Sequence, residues 1–254
     1  MVSKINTSDA KWQVSPEFQP DKDDTWKYPT EKDGWVLAHN MIRGEVNDII
    51  KAVESNVSRG TPAPAWVVES IAQVWTHHQD VVHDHHRNED DIMNPFMKTR
   101  INFPEKLEAD HVIVIEKMND VTECVKALKE GDSLNDLLEK LNAYKTILFP
   151  HLLEEEEIAL PLLRSYFTPA EVGPVIGEIL KVSGRAEIGS FVSSMGEEYF
   201  RSTFMKQEGI PFFVWYLKFK GDFNYFEHNI KSTLEALDTG VPGTTEGKGG
   251  AWLC

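Results

Sequence analysis

The chain has 254 residues, 41% of them hydrophobic, and a formal net charge of −15. That length can bury a substantial core in one large domain. The acidic balance, with no Lys/Arg cluster to neutralise phosphates, argues against nucleic acid and against an anionic membrane surface. The longest apolar run, Ile210 to Leu217, includes Pro211 and falls far short of a bilayer span.

Residues 1 to 33 are rich in Lys, Asp, Pro and Ser without a sustained period, and read as an arm pinned to the body by Trp12, Phe18, Trp26 and Tyr28. Met1 to Ala10 is polar and lacks the apolar segment of a secretory signal. From Gly34 the period becomes helical, and Trp35, His39, Ile42, Val46, Ile49 and Val53 share one face. Arg59-Gly60-Thr61-Pro62 ends that helix and Pro64 opens a second, expected to about Lys98. Its inward stripe is Ile71, Val74, His78, Val81, His85, Glu89, Ile92 and Phe96. Phe103-Pro104-Glu105 starts a third helix, whose stripe runs Leu107, His111, Val114, Met118, Val121, Val125. Gly131-Asp132-Ser133 closes it and caps a fourth, with Leu134, Leu137, Leu141, Tyr144, Leu148, His151, Glu155 and Ile158 facing inward.

Helices of this length with short connections predict an all-α fold, an antiparallel four-helix bundle over residues 34–167. Residues 168–254 predict a helical extension: Pro169 to Val182, Ile188 to Gln207 and Phe212 to Ala236, then a Gly/Thr-rich tail. The aromatic load of these segments predicts packing on the bundle rather than a separate domain. Two cysteines, Cys124 and Cys254, are too few for a disulfide framework and predict a reducing, cytoplasmic compartment. Cys254 lacks a prenylation signal and reads as an ordinary end.

Each of the four bundle stripes carries imidazole, with or without carboxylate. His39 stands on the first helix, His85 and Glu89 four apart on the second, His111 on the third, His151 and Glu155 four apart on the fourth. Spacing of four puts each His–Glu pair one turn apart on one face. A buried carboxylate without a cation costs several kcal/mol, roughly, so Glu89 and Glu155 call for one. Two such carboxylates can bridge two ions that keep imidazoles as terminal ligands. Nitrogen and oxygen donors without sulfur suit iron or manganese ahead of zinc. Among the neighbours, His77, His83 and His86 read as solvated or rim residues, while His78 reads as a core or pocket-lining imidazole and a secondary ligand candidate. Glu156 is a rival ligand beside Glu155, and Asp90 is the matching neighbour of Glu89.

With His39 and Arg43, the string His85-His86-x-x-Glu89-Asp90, the pair Asp110-His111 and His151-Leu152-x-x-Glu155-Glu156, the chain resembles the hemerythrin-like, or HHE cation-binding, family over about Gly34 to Phe167. The resemblance implies a four-helix bundle holding two non-haem irons bridged by carboxylates and an oxo or hydroxo group. By position it implies His39, His85, Glu89, His111, His151 and Glu155 as ligands. Oxygen-carrying relatives place two histidines four apart on the third helix, and here the earlier position is Leu107. That leaves either an open metal position or a role for Glu108, whose Glu-x-x-His111 spacing occurs in ferritin-like di-iron proteins.

The expected function is therefore iron and dioxygen binding, storage or sensing. The alternative is a di-iron oxidase or oxygenase acting on a small organic substrate, with the C-terminal aromatics roofing its cavity and Tyr144 donating a proton. A regulatory protein whose metal loading orders a helix for a partner is a third reading. Oligomeric state is not encoded legibly.

Overall fold

A stripe of apolar residues recurring every three or four positions needs a facing surface, and each predicted stripe finds one. The structure is a computed structural model that describes residues 5–60 and 62–242. Cys254 and the tail beyond Val241-Pro242 lie outside the described residues. Among the described residues the fold is all-helical, and no helix is long and apolar enough to cross a membrane.

Helix α1 spans Gly34–Ser58, its first turn capped by the Asp33 side chain, which accepts from the Trp35 backbone N–H. Helix α2 starts behind Pro64, spans Ala65–Asn88, passes through a π-helical turn at Glu89–Met93 and ends with Asn94–Met97. Helix α3 covers Glu105–Ala127, and α4 covers Asn135–Tyr166, running on through Pro150 and Pro161. Helix α3 lies along α4, α1 packs on α4 and α2, and α2 packs on α3.

Their stripes build two apolar clusters. One contains Ile42, Val46, Val82, Val114, Leu141 and Leu148; the other contains Met93, Leu107, Ala159, Leu163 and Phe167. The first ends and the second begins at matched levels: Val82 and Met93 on α2, Val114 and Leu107 on α3, Leu152 and Ala159 on α4. His39, His85, Glu89, His111 and Glu155 fall in the gap and His151 at its edge, so a polar layer lies between two dry ones.

The extension packs on the bundle. It comprises α5 (Pro169–Val182), α6 (Arg185–Met195), α7 (Glu197–Tyr199, a π turn Phe200–Phe204, and Met205–Gln207) and α8 (Trp215–Phe219, Lys220–Tyr225, Phe226–Lys231 and Ser232–Thr239). The single helix predicted from Ile188 to Gln207 is broken at Gly196, whose φ of 80° is open to glycine at no steric cost. Helix α6 packs on α1 and α2, and so do the last turns of α8. Helix α2 is thereby covered on a second side. The arm is held as well: Trp26 is buried, and its indole N–H donates to the Arg164 and Phe167 carbonyls at 3.0 Å each. Trp12, Phe18 and Tyr28 pack on the second cluster.

Candidate metal centre

Consecutive residues on a helix point about 100° apart. Helix α2 lies between α1 and α3, so His85 and His86 address different neighbours. The His85 ring stands edge-on to His39 of α1 at 5.0 Å between centroids. The His86 ring stacks on His111 of α3 at 4.2 Å and 14°, with His151 of α4 edge-on at 5.4 Å. The expectation that His86 and His77 are rim residues is overturned, since both are buried; His83 is exposed. The stripe reading gave α2 one inward side, and it has two.

Glu89 is four residues past His85 and three past His86, so it sits between the two imidazole groups. Its Oε1 lies 3.2 Å from His85 Nε2 and 3.7 Å from His39 Nε2, while its Oε2 lies 3.5 Å from His111 Nε2. Glu155 divides in the same way. Its Oε2 lies 3.3 Å from His39 Nε2, and its Oε1 lies 3.3 Å from His111 Nε2 and 3.4 Å from His151 Nε2. Two donor groups result, each with ligand atoms within 4.8 Å of one another: His39, His85, Glu89 and Glu155 in one, His86, His111 and His151 in the other.

Several of these atoms have no partner. Among the described residues, His39 Nε2, His85 Nε2, both nitrogens of His86 and His151, Glu89 Oε2 and Glu155 Oε2 are buried without a hydrogen bond. Each such atom costs about 1–3 kcal/mol unless something satisfies it. A cation in each group would satisfy one nitrogen of each imidazole and the carboxylate oxygens, because neutral imidazole nitrogens and carboxylate oxygens are its donors. The residues present fit two metal ions.

A surrounding layer fixes the tautomers. His39 Nδ1 donates to Glu156 Oε1 at 2.9 Å, which also accepts from Arg43 at 2.7 Å. His111 Nδ1 donates to Asp90 at 2.9 Å. Both donations leave Nε2 aimed at the centre, the arrangement that orients metal-ligating imidazoles. The Trp35 indole N–H donates to Glu89 Oε1 at 2.8 Å.

Without an ion the charges are strained. Burial lowers the His39 pKa, but the hydrogen bonds of Glu156 and Glu89 outweigh it and lift it to about 9. Burial also opposes protonation of His111, yet Glu155 and Glu89 raise it to about 9. His151 is pushed down to about 4, chiefly by burial, and His86 is lowered by burial and by the charge on His111. Burial and the charge on Glu89 raise Glu155, whereas Glu89 is held low against burial by His85 and His39.

Four candidate residues stand elsewhere. Glu108 is on the flank of α3 in an ion pair with Lys98 at 2.6 Å. Glu156 faces the outer nitrogen of His39 rather than the centre. His78 and Tyr144, two turns from His85 and His151, belong to a separate buried chain: Tyr144 OH lies 3.2 Å from His78 Nε2, and His78 Nδ1 donates to Glu45 at 2.8 Å. Ser190 of α6 closes that chain, donating to Glu45 at 2.5 Å. Burial opposes ionisation of Glu45, but hydrogen bonds from His77 and His78 hold it at about 2. Tyr144 is thus engaged away from the metal layer, which corrects its expected role as a proton donor there. Glu45, on the flank of the α1 stripe, was not singled out from the sequence; its spacing to Ile42 and Ile49 was the available signal.

Beside His85 and Glu89 lies a cavity of about 190 Å³, walled by the arm and by Val172, Ile188, Phe191 and Phe204 of the extension.

The sequence matches the Hemerythrin HHE cation binding domain over residues 32–163. No curated protein and no solved structure matches it.

Proposed function

Because the chain belongs to the hemerythrin HHE cation-binding family, we propose that it holds two non-haem irons in an antiparallel four-helix bundle and uses them to bind dioxygen. The ligands in this reading are His39, His85, Glu89, His111, His151 and Glu155, joined by His86. The observation that carries it is the division of both carboxylates, each turning one oxygen to each imidazole group. Glu89 and Glu155 would thus be held in common by ions in the two groups, with the imidazoles as their separate ligands. His86 supplies, from α2, the fifth imidazole that Leu107 on α3 does not, so the donor set has five imidazoles and two carboxylates. The absence of thiolate favours iron over a closed zinc site, with manganese second.

Iron bound here would supply one-electron chemistry with dioxygen. The chain's own residues hold and orient: Glu156 and Asp90 fix the His39 and His111 tautomers, Trp35 restrains Glu89, and the apolar clusters above and below keep bulk water out. The few cysteines support a cytoplasmic setting. A second reading, an oxidase or oxygenase of a small organic molecule, is favoured by the cavity against His85 and Glu89.

Metal analysis of protein purified without added metal, with optical spectra before and after air, tests both. Two irons per chain and a charge-transfer band that reverses under vacuum support oxygen binding. Oxygen consumption sustained only by an added organic substrate supports the second reading. Protein that is pure, metal-free and unable to take up iron sinks both.

A further inference from the structure

The cavity beside the metal layer has a wall of mixed origin and a polar end of one chemistry. Trp35, Met93, Val172, Ile176, Ile188 and Phe191 make most of it apolar. Where it meets α2, Asn88 joins His85 and Glu89 in the lining. Asn88 is 3% exposed, and its amide nitrogen donates to Glu187 Oε2 at 3.1 Å, Glu187 Oε1 at 3.2 Å and Ser183 Oγ at 3.3 Å. Those acceptors settle which way the amide points. Its carbonyl oxygen, Oδ1, is left buried without a donor.

Nothing in the described lining is a Lys or an Arg, while Asp33, Glu89, Glu187 and Glu208 all contribute to it. An anionic ligand therefore meets repulsion and no counter-charge. A cationic one would have to shed its hydration inside an apolar wall whose buried Glu187 is already bonded to Asn88. Apart from the His85 and Glu89 atoms that face the metal layer, the unfilled demand is for one neutral hydrogen-bond donor on an otherwise apolar body. Size narrows it further, since an apolar cavity of roughly 150 Å³ takes a benzene ring, and this one is about 190 Å³.

We propose that this cavity is a binding site for a neutral, hydroxyl-bearing single-ring molecule of about phenol's size, its hydroxyl donating to Asn88 Oδ1 beside His85 and Glu89. As a binding site it is independent of the iron reading; as the class of substrate for the centre it rests on the second reading given above. The ring packs against Trp35 and Phe191, and the hydroxyl satisfies a buried side-chain carbonyl that is otherwise without a donor.

The test is calorimetric titration of the full chain, metal-free and iron-loaded, with phenol and its near-isostere toluene. Phenol is expected to bind one-to-one and roughly fivefold more tightly than toluene, the difference one neutral hydrogen bond makes. In Asn88→Leu the two ligands should bind alike, and in Ile176→Trp, which fills the cavity, neither should bind, with an unchanged circular dichroism spectrum showing the fold intact. Equal affinities for phenol and toluene in the unaltered protein overturn the proposal. So does tighter binding of benzylamine or benzoate than of phenol, or undiminished phenol binding in Ile176→Trp. A failure of iron uptake leaves the metal-free titrations unaffected, so the two readings fail separately.

Discussion

Two adjacent imidazoles on α2 facing two different helices set the size of the donor set, and their removal tests it residue by residue. Glu155→Ala removes a carboxylate that faces both groups and should leave less than one iron per chain, while His85→Ala removes one donor from the His39 group and should leave about one. His86→Ala removes one donor from the other group and should bring the content from two irons to about one. His83→Ala, exposed on the far side of the helix, should retain both. Iron analysis after matched loading reads all four, and full occupancy in His85→Ala or Glu155→Ala contradicts the assignment. Titration offers a second check. With His39 and His111 both raised to about 9, each carries a proton at pH 7 in the metal-free protein. A ligand imidazole must be neutral, so loading at pH 7 should expel about two protons, and affinity should rise with pH until about 9. The metal-free fold runs the other way: its gain from these imidazolium groups is complete below about 6.5 and is lost as pH rises through about 9. Calorimetry in two buffers of different ionisation enthalpy counts the protons; release of none would refute the charge assignment. The helical period was enough to single out six of the seven converging side chains. His86 and Glu45 escaped it because a stripe presumes one buried side per helix: α2 turns a second side to α3, where His86 stacks on His111, and α6 covers a second side of α1 at Glu45.

At the level of whole elements, the departures from the predicted helices have local causes. The second helix was expected to run evenly to about Lys98, and instead widens into the π turn Glu89–Met93. Pro95 lies two residues beyond; it has no N–H and its ring crowds the carbonyl four residues back. A wider turn relieves that conflict, and such turns often mark functional positions in helices. The proline was visible in the sequence, but whether a helix kinks, ends or widens before one depends on what packs around it. The break at Gly196 was equally hidden, because glycines inside a helical period are common and only the positive φ distinguishes this one. Gly189 shows the opposite use of the residue, close approach: an added Cβ would stand 2.6 Å from the Asp222 carbonyl oxygen and 3.0 Å from Phe226 Cβ, prising α6 from α8. Gly189→Ala should therefore destabilise the protein by about 1–3 kcal/mol, the usual cost of overpacking. Gly177→Ala on α5 has open space around it and should be neutral or stabilising by up to about 1 kcal/mol. Denaturation midpoints of the two variants make the comparison, and equal midpoints would mean that α6 and α8 separate freely.

Across the molecule, helices α1 to α4 and the extension share apolar packing, although the family match ends at residue 163. The larger apolar cluster takes Phe226, Ile230 and Leu237 from α8 alongside residues of α1 and α2. The extension also supplies Ser190 to buried Glu45 and half the wall of the cavity. Each of those three apolar side chains contributes about 1.5–3 kcal/mol by its burial, and domains of this kind retain only about 5–15 kcal/mol in total. A chain ending at Phe167 would expose the second side of α2, leave Glu45 without its serine, and lose contacts comparable with the whole margin of stability. That truncated chain should lose its cooperative thermal transition and fall below one iron, while the full chain keeps both. Circular dichroism melting and iron analysis on the pair decide it. A truncated chain that melts at the full chain's temperature with two irons bound would show that the extension merely decorates a self-sufficient bundle.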